Sequence, residues 1–207
     1  MPSAADEAMS ASRVLVIAGS ARHGSLNQQL AAVAVRELEQ AGAAVTPVDL
    51  RALALPIYDA DIEARGMPEG ARTLRRLFAE HEALILVTPE YNGFPTPLLI
   101  NALDWASRPV PEDGLPSGPA AMSGTVAGLL SASPGGLGGL RSLLFTRQFL
   151  QMNLGMLIVP EQFGLGSADK AFDAAGVLID PKAHAAVVKV VQSVLRTAVA
   201  MKPPPAV

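Results

Sequence analysis

Hydrophobic and polar positions along this chain switch between two periods. Residues 13–18 (RVLVIA) and 83–88 (ALILVT) are short, nearly unbroken apolar runs, the pattern of strands buried on both faces. Residues 125–131 (TVAGLLS) and 156–159 (MLIV) repeat it. Residues 44–50 (AVTPVDL) read as a further strand, and Pro47 within it belongs at a sheet edge, where no ladder bond needs its missing N–H. Between these runs the apolar spacing lengthens to three and four. Leu26, Leu30, Val33, Ala34, Leu38 and Ala41 form one helical face, and Gly42 stops it. Residues 69–80 and 140–153 predict two more helices. Thr96 with Pro97, and Asp180 with Pro181, each pair a capping side chain with proline at the first helical position. The first pair starts a helix that runs to about residue 108. The second starts one whose apolar face (Val187, Val188, Val191, Val194, Leu195, Ala198) opposes Lys189, Gln192, Ser193 and Arg196. The stretch before residue 69, rich in proline and acidic residues, reads as a loop. Residues 109–122, with four prolines and two glycines, read as a long surface loop.

Strands that alternate with helices predict an α/β fold, a parallel sheet covered by helices on both faces. Five strands suit a flavodoxin-like three-layer sandwich in order 2-1-3-4-5, which places ligands beyond the carboxyl ends of the strands where the order reverses. The length of 207 residues fits one domain over 1–207, with 1–12 and 202–207 as frayed tails.

Composition removes several function classes. With no cysteine there is no disulfide framework, redox thiol, Cys-ligated zinc or iron–sulfur cluster, so electron chemistry would need an organic cofactor or a non-thiolate metal. A net charge of −3 argues against nucleic acid as a partner. No run approaches a membrane span, and the start lacks the charged and apolar regions of a secretory signal, so no membrane is expected and the cytoplasm is the default location. His23, His81 and His184 are scattered and suggest neither a metal cluster nor a triad base.

Three loops at strand ends carry the candidate chemistry. The first, residues 19–27 (GSARHGSLN), precedes a helix, where free backbone N–H groups and the helix dipole favour an anion. It is neither a nucleoside-triphosphate loop nor a dinucleotide fingerprint. Two hydroxyls, an amide and a guanidinium suit a terminal monophosphate that Arg22 can take bidentately. Plain capping is the competing reading, since Ser25 and Gln28 match a capping box. His23 has no evident partner and reads as a solvated loop residue. The second loop, residues 89–95 (PEYNGFP), holds two of the nine aromatics and offers a wall for a flat heterocycle; a tight turn with Tyr91 packed on a neighbour is the alternative. The third, residues 131–139 (SASPGGLGG), permits close approach of backbone to a ligand, a second anion site or a flexible turn.

Together, G-S-x-R-x-x-S-x-N, P-E-Y-N, N-A-L-D-W at 101–105 and S-x-G-x-x-G-G at 133–139 resemble the NADPH-dependent FMN reductase family, which includes quinone, azo-dye and chromate reductases. The resemblance implies FMN as cofactor and NADPH as co-substrate. Ser20, Arg22, Ser25 and Asn27, with the backbone at Leu26, would hold the FMN phosphate. Pro89, Glu90, Tyr91 and Asn92 would line the isoalloxazine, and Ser133 with Gly135 would approach it from the third loop. No residue is assigned a catalytic role, because FMN carries the chemistry; Tyr91 would border the face where nicotinamide and a small-molecule electron acceptor (quinone, azo compound, metal oxyanion or free flavin) stack in turn, in a ping-pong cycle. The helix bearing N-A-L-D-W would pack in a homodimer or homotetramer, although Ile100 stands where the family commonly has Lys. A flavodoxin-type electron carrier and a flavin-less regulatory or scaffold protein are the alternatives that share the fold.

Overall fold

A computed structural model describes residues 12–201. The expected frayed tails lie outside these residues except for Ser12, which is buried and whose carbonyl accepts the Ala44 N–H at 2.9 Å.

Five strands form one parallel sheet in order β2-β1-β3-β4-β5: β1 Arg13–Ala18, β2 Ala44–Val48, β3 Ala83–Val87, β4 Val126–Ala132 and β5 Leu157–Leu165. The helices are α1 Leu26–Gln40, α2 Ala60–Arg65, α3 Glu69–Glu80, α4 Pro97–Ala106, α5 Leu140–Leu154 and α6 Pro181–Met201. Alternate residues of β1 explain the layers. Val14 and Val16 join the core under α1 and α6, while Leu15 and Ile17 join the core under α3, α4 and α5. Every residue of β3 and β4 is buried, which is why those runs show no alternation. Pro47 sits in the edge strand β2, which among the described residues pairs only with β1.

Several stretches depart from expectation. β2 stops at Val48 because the Asp49 side chain accepts the Arg51 N–H at 2.8 Å and turns the chain. The loop before residue 69 contains α2, capped by Asp59, whose carboxylate accepts the Asp61 N–H at 2.7 Å. β5 does not end at Val159. The register slips between Ala127 and Leu129, whose partners are Ile158 and Gln162, so the strand bulges past Pro160 and continues to Leu165.

The 109–122 segment is not a plain surface loop. Arg75, fully buried on α3, pairs with Asp113 at 2.8 Å and donates to the carbonyls of Ala106, Arg108 and Pro116. One guanidinium thus collects the end of α4 and two turns of the loop, including the short 3-10 turn Pro111–Asp113. The same contact holds the Asp113 carboxyl below the usual aspartate range.

Replacing Arg75 by Met should lower the unfolding free energy by about 3–5 kcal/mol, because it strands a carboxylate and three carbonyls. In the native protein this contribution is complete above the ordinary aspartate value of about 4 and is lost as pH falls through the depressed folded value. Urea unfolding near neutral pH checks the first statement; a midpoint unchanged by the substitution would contradict it.

Candidate functional site

The three loops converge at the carboxyl ends of β1, β3 and β4, and each is held by a specific bond. Gly19 leaves β1 with its N–H on the Val87 carbonyl at 2.8 Å. A Cβ there would lie 2.9 Å from Thr88 Oγ1, so the position needs glycine. Thr96 caps α4 through the Leu99 N–H and also donates its hydroxyl to the Gly19 carbonyl at 2.7 Å, pinning the first loop to the second.

Ser25 is the N-cap of α1, its hydroxyl accepting the Gln28 N–H at 3.4 Å. The capping box is only half made, because the Gln28 side chain donates to the Ser20 carbonyl at 3.0 Å instead of turning back to Ser25. Asn27 is buried, and both ends of its amide are engaged. Nδ2 donates to the Ala132 carbonyl at 2.8 Å, and Oδ1 accepts the Ala132 N–H at 2.9 Å. This residue joins the first loop to the end of β4. The first-turn amides of Leu26 and Asn27 have no intrahelical acceptor, as in any helix, and remain available to an anion.

The second loop is a two-residue hairpin. Tyr91 and Phe94 exchange backbone bonds of 2.9 and 3.0 Å, with Asn92 at φ +53° and Gly93 at φ +86°. That Asn-Gly pair is suited to the left-handed turn. Glu90, just before it, pairs with Arg141 of α5 and accepts the Ser142 N–H at 3.4 Å. Arg141 beside it holds the Glu90 carboxyl below the usual range. In the third loop the Ser131 hydroxyl donates to the Gly138 carbonyl, and Ser133 Oγ accepts the Gly135 N–H at 3.1 Å. Gly138 is tightly placed, since a Cβ would come 2.4 Å from the Gly164 backbone.

These constraints enclose a cavity of about 170 Å³. Ser20, Arg22, Ser25, Leu26 and Asn27 line it from the first loop, Pro89, Glu90 and Tyr91 from the second, and Ala132, Ser133 and Pro134 from the third. Nine of the eleven residues singled out in the sequence therefore meet here. Asn92 and Gly135 do not line it: Asn92 makes the hairpin turn, and the Gly135 N–H is taken by Ser133. The donor set fits a phosphate monoester, with two buried hydroxyls, open helix amides and an exposed guanidinium whose one hydrogen bond among the described residues is to the Gly24 carbonyl at 3.4 Å. The volume falls below the roughly 300 Å³ of ordinary cofactor pockets, room for a phosphate-sized group but not for a ring system, and Tyr91 at its edge is 54% exposed.

Sequence reasoning missed three residues around this site. Arg141 and Arg51 come from elements distant in sequence, and no local spacing announces them. Arg51 donates to the Ala21 carbonyl and lies 3.2 Å from His23 Nε2, giving that histidine the partner it seemed to lack. Phe145 of α5 stacks on Phe94 at 4.2 Å and, with Ile100, Phe149 and Met152, lines an apolar groove of about 470 Å³ beside the second loop. The N-A-L-D-W helix turns Asn101 and Trp105 inward, both donating to the Pro56 carbonyl, at 2.9 and 2.7 Å.

Comparison with known proteins gives consistent results. Residues 12–170 match the family described as NADPH-dependent FMN reductase. The chain is 37% identical over 173 residues to an NAD(P)H-dependent FMN reductase of Pseudomonas aeruginosa, covering 83% of this chain and 87% of that protein. It is 35% identical over 168 residues to a quinone reductase of Pseudomonas putida, covering 81% and 84%. Among solved structures, the flavoenzyme FerB, an NAD(P)H:(acceptor) oxidoreductase from Paracoccus denitrificans, superposes with a TM-score of 0.72 at 24% identity, covering 91% of this chain and 97% of its own, a likeness of fold.

Arg22→Ala should weaken FMN binding roughly ten- to a hundred-fold, the value of a charge-assisted bond of about 1.5–3 kcal/mol. Fluorescence titration of the apoprotein with FMN measures it, and an unchanged dissociation constant would remove Arg22 from the phosphate site.

Proposed function

The chain belongs to the NADPH-dependent FMN reductase family, and from that premise we propose that it passes electrons from NADPH through bound FMN to a small acceptor of the quinone class. The observation that carries this reading is the three-loop cavity, whose donor set suits the phosphate end of FMN and whose open side lies beside Tyr91. When bound, FMN supplies the chemistry, accepting a hydride from the nicotinamide and returning two electrons to the acceptor.

The protein's own residues bind and orient. Ser20, Arg22, Ser25 and the Leu26 and Asn27 amides hold the phosphate. Pro89, Tyr91 and Ser133 border the ring. In this reading the side chain of Asn27 works at one remove, fixing the helix end against β4 rather than meeting the phosphate. Glu90 likewise sets the spacing between the second and third loops through Arg141. Its carboxyl stays ionised at neutral pH because Arg141 and the Ser142 amide stabilise the anion, so it is no proton donor there. The protons that a reduced quinone needs come from solvent, which the open cavity admits. One exposed face also serves donor and acceptor in turn, which gives ping-pong kinetics.

The same openness supports the homo-oligomer. Phe94, Leu140, Leu144, Phe145 and Met152 are large apolar side chains left exposed, and Phe94, Phe145 and Met152 line the groove beside the second loop. Ile100 extends this surface into the groove. Apolar area of this extent on a water-facing surface marks an interface, and a second copy seated there would shelter the ring. No helix among the described residues is long and apolar enough to cross a membrane.

Anaerobic mixing of the FMN-loaded protein with NADPH should bleach the flavin absorbance within the turnover time, and benzoquinone should restore it. Initial rates at varied NADPH and quinone should give parallel double-reciprocal lines. A flavin that NADPH leaves oxidised would favour an electron carrier, and intersecting lines would contradict the shared face. Phe145→Asp should shift the sedimenting species toward monomer; an unchanged mass would place the interface elsewhere.

A further inference from the structure

A second groove, of about 520 Å³, runs between α1 and the edge strand β2. Ser20 lines both this groove and the smaller cavity of the first loop. Ala31, Ala32 and Val35 of α1 and Pro47 of β2 give it a short apolar stretch, and Gln28 and Arg36 of α1 also line it. Asp49 lines it just past the carboxyl end of β2. Two residues further on, Arg51 folds back over the first loop, onto the Ala21 carbonyl and His23. Neither Arg51 nor Arg22 forms an ion pair among the described residues, so the loop presents two exposed guanidinium groups with no carboxylate to neutralise them.

We propose that this groove receives the adenosine end of NADPH, with the 2′-phosphate on Arg51. The chemistry matches part by part. A flat heterocycle needs apolar walls without bulky side chains, which the alanines of α1 leave. The ribose 3′-hydroxyl, the one the 2′-phosphate leaves free, needs an acceptor, which the second oxygen of Asp49 provides, since the first accepts the Arg51 N–H. A phosphate needs a guanidinium outside any ion pair, which Arg51 offers among the described residues. The proposal rests on the reductase reading, because that reading makes the ligand a pyridine nucleotide whose other end must reach the FMN cavity. Ser20, shared by the two sites, stands between them.

The test uses adenosine 2′,5′-bisphosphate, which carries the proposed contacts and no nicotinamide. Calorimetric titration of the FMN-loaded protein should show it binding, in competition with NADPH. Arg51→Ala should weaken it by about tenfold or more, as loss of a charge-assisted bond requires. The same variant should raise KM for NADPH by a much larger factor than KM for NADH, a split that a merely looser loop would not produce. Ala32→Leu, which fills the groove without touching the first loop, should weaken the bisphosphate while FMN affinity stays as in the native protein. Bisphosphate affinity unchanged in both variants would overturn the proposal, as would failure of the bisphosphate to bind a protein that NADPH still bleaches. Failure of NADPH to bleach the native protein would instead overturn the reductase reading, and this assignment with it.

Discussion

The amide of Asn27 is the bond on which the rest of the site depends. Its two ends satisfy both backbone groups of Ala132, a residue 105 positions away, inside the protein and out of reach of water. A buried hydrogen bond contributes only about 1 kcal/mol net, but each backbone group left orphaned by its loss would cost about 1–3 kcal/mol. The first turn of α1 and the end of β4 are therefore held together. Two further ties complete the frame, Thr96 to the Gly19 carbonyl and Glu90 to Arg141 and Ser142. Each loop is bonded to another or to the helix that follows another. The hydroxyls, the guanidinium and the open amides then converge on one small volume without moving.

That frame shows which features the chain discloses locally. The apolar runs of β1, β3 and β4 are legible because strands buried on both faces have no polar register to obscure. α3 is matched residue for residue, and the proline-linked caps place the starts of α4 and α6. The hairpin is visible as Asn92-Gly93. What stays hidden is tertiary. Pro160 looks like a strand end, yet a bulge at the sheet edge carries β5 past it. Arg75 looks like a charge on a surface helix, and its burial becomes intelligible only once Asp113 and three carbonyls surround it.

The same distinction separates the residues of the site. Nine of the eleven singled out line one cavity, because residue type and strand-end position are local signals. How Asn27 and Glu90 act was not legible, since both look like ligand contacts in a motif and both engage the protein itself. A motif records what a site requires, and a rigid frame is one such requirement. On the functional reading proposed above, the division of labour is simple. The cofactor brings the reactivity, the frame brings its position, and the open side brings access for a donor and an acceptor of different shapes.

The most direct measurement compares the affinity of the apoprotein for FMN and for riboflavin, which differ only in the phosphate. If the α1 end and its neighbours are a phosphate site, FMN binds tighter by roughly a hundred-fold or more, the sum of two or more charge-assisted bonds. Equal affinities would mean that the ring alone is recognised and that the frame built around Asn27 serves some other ligand.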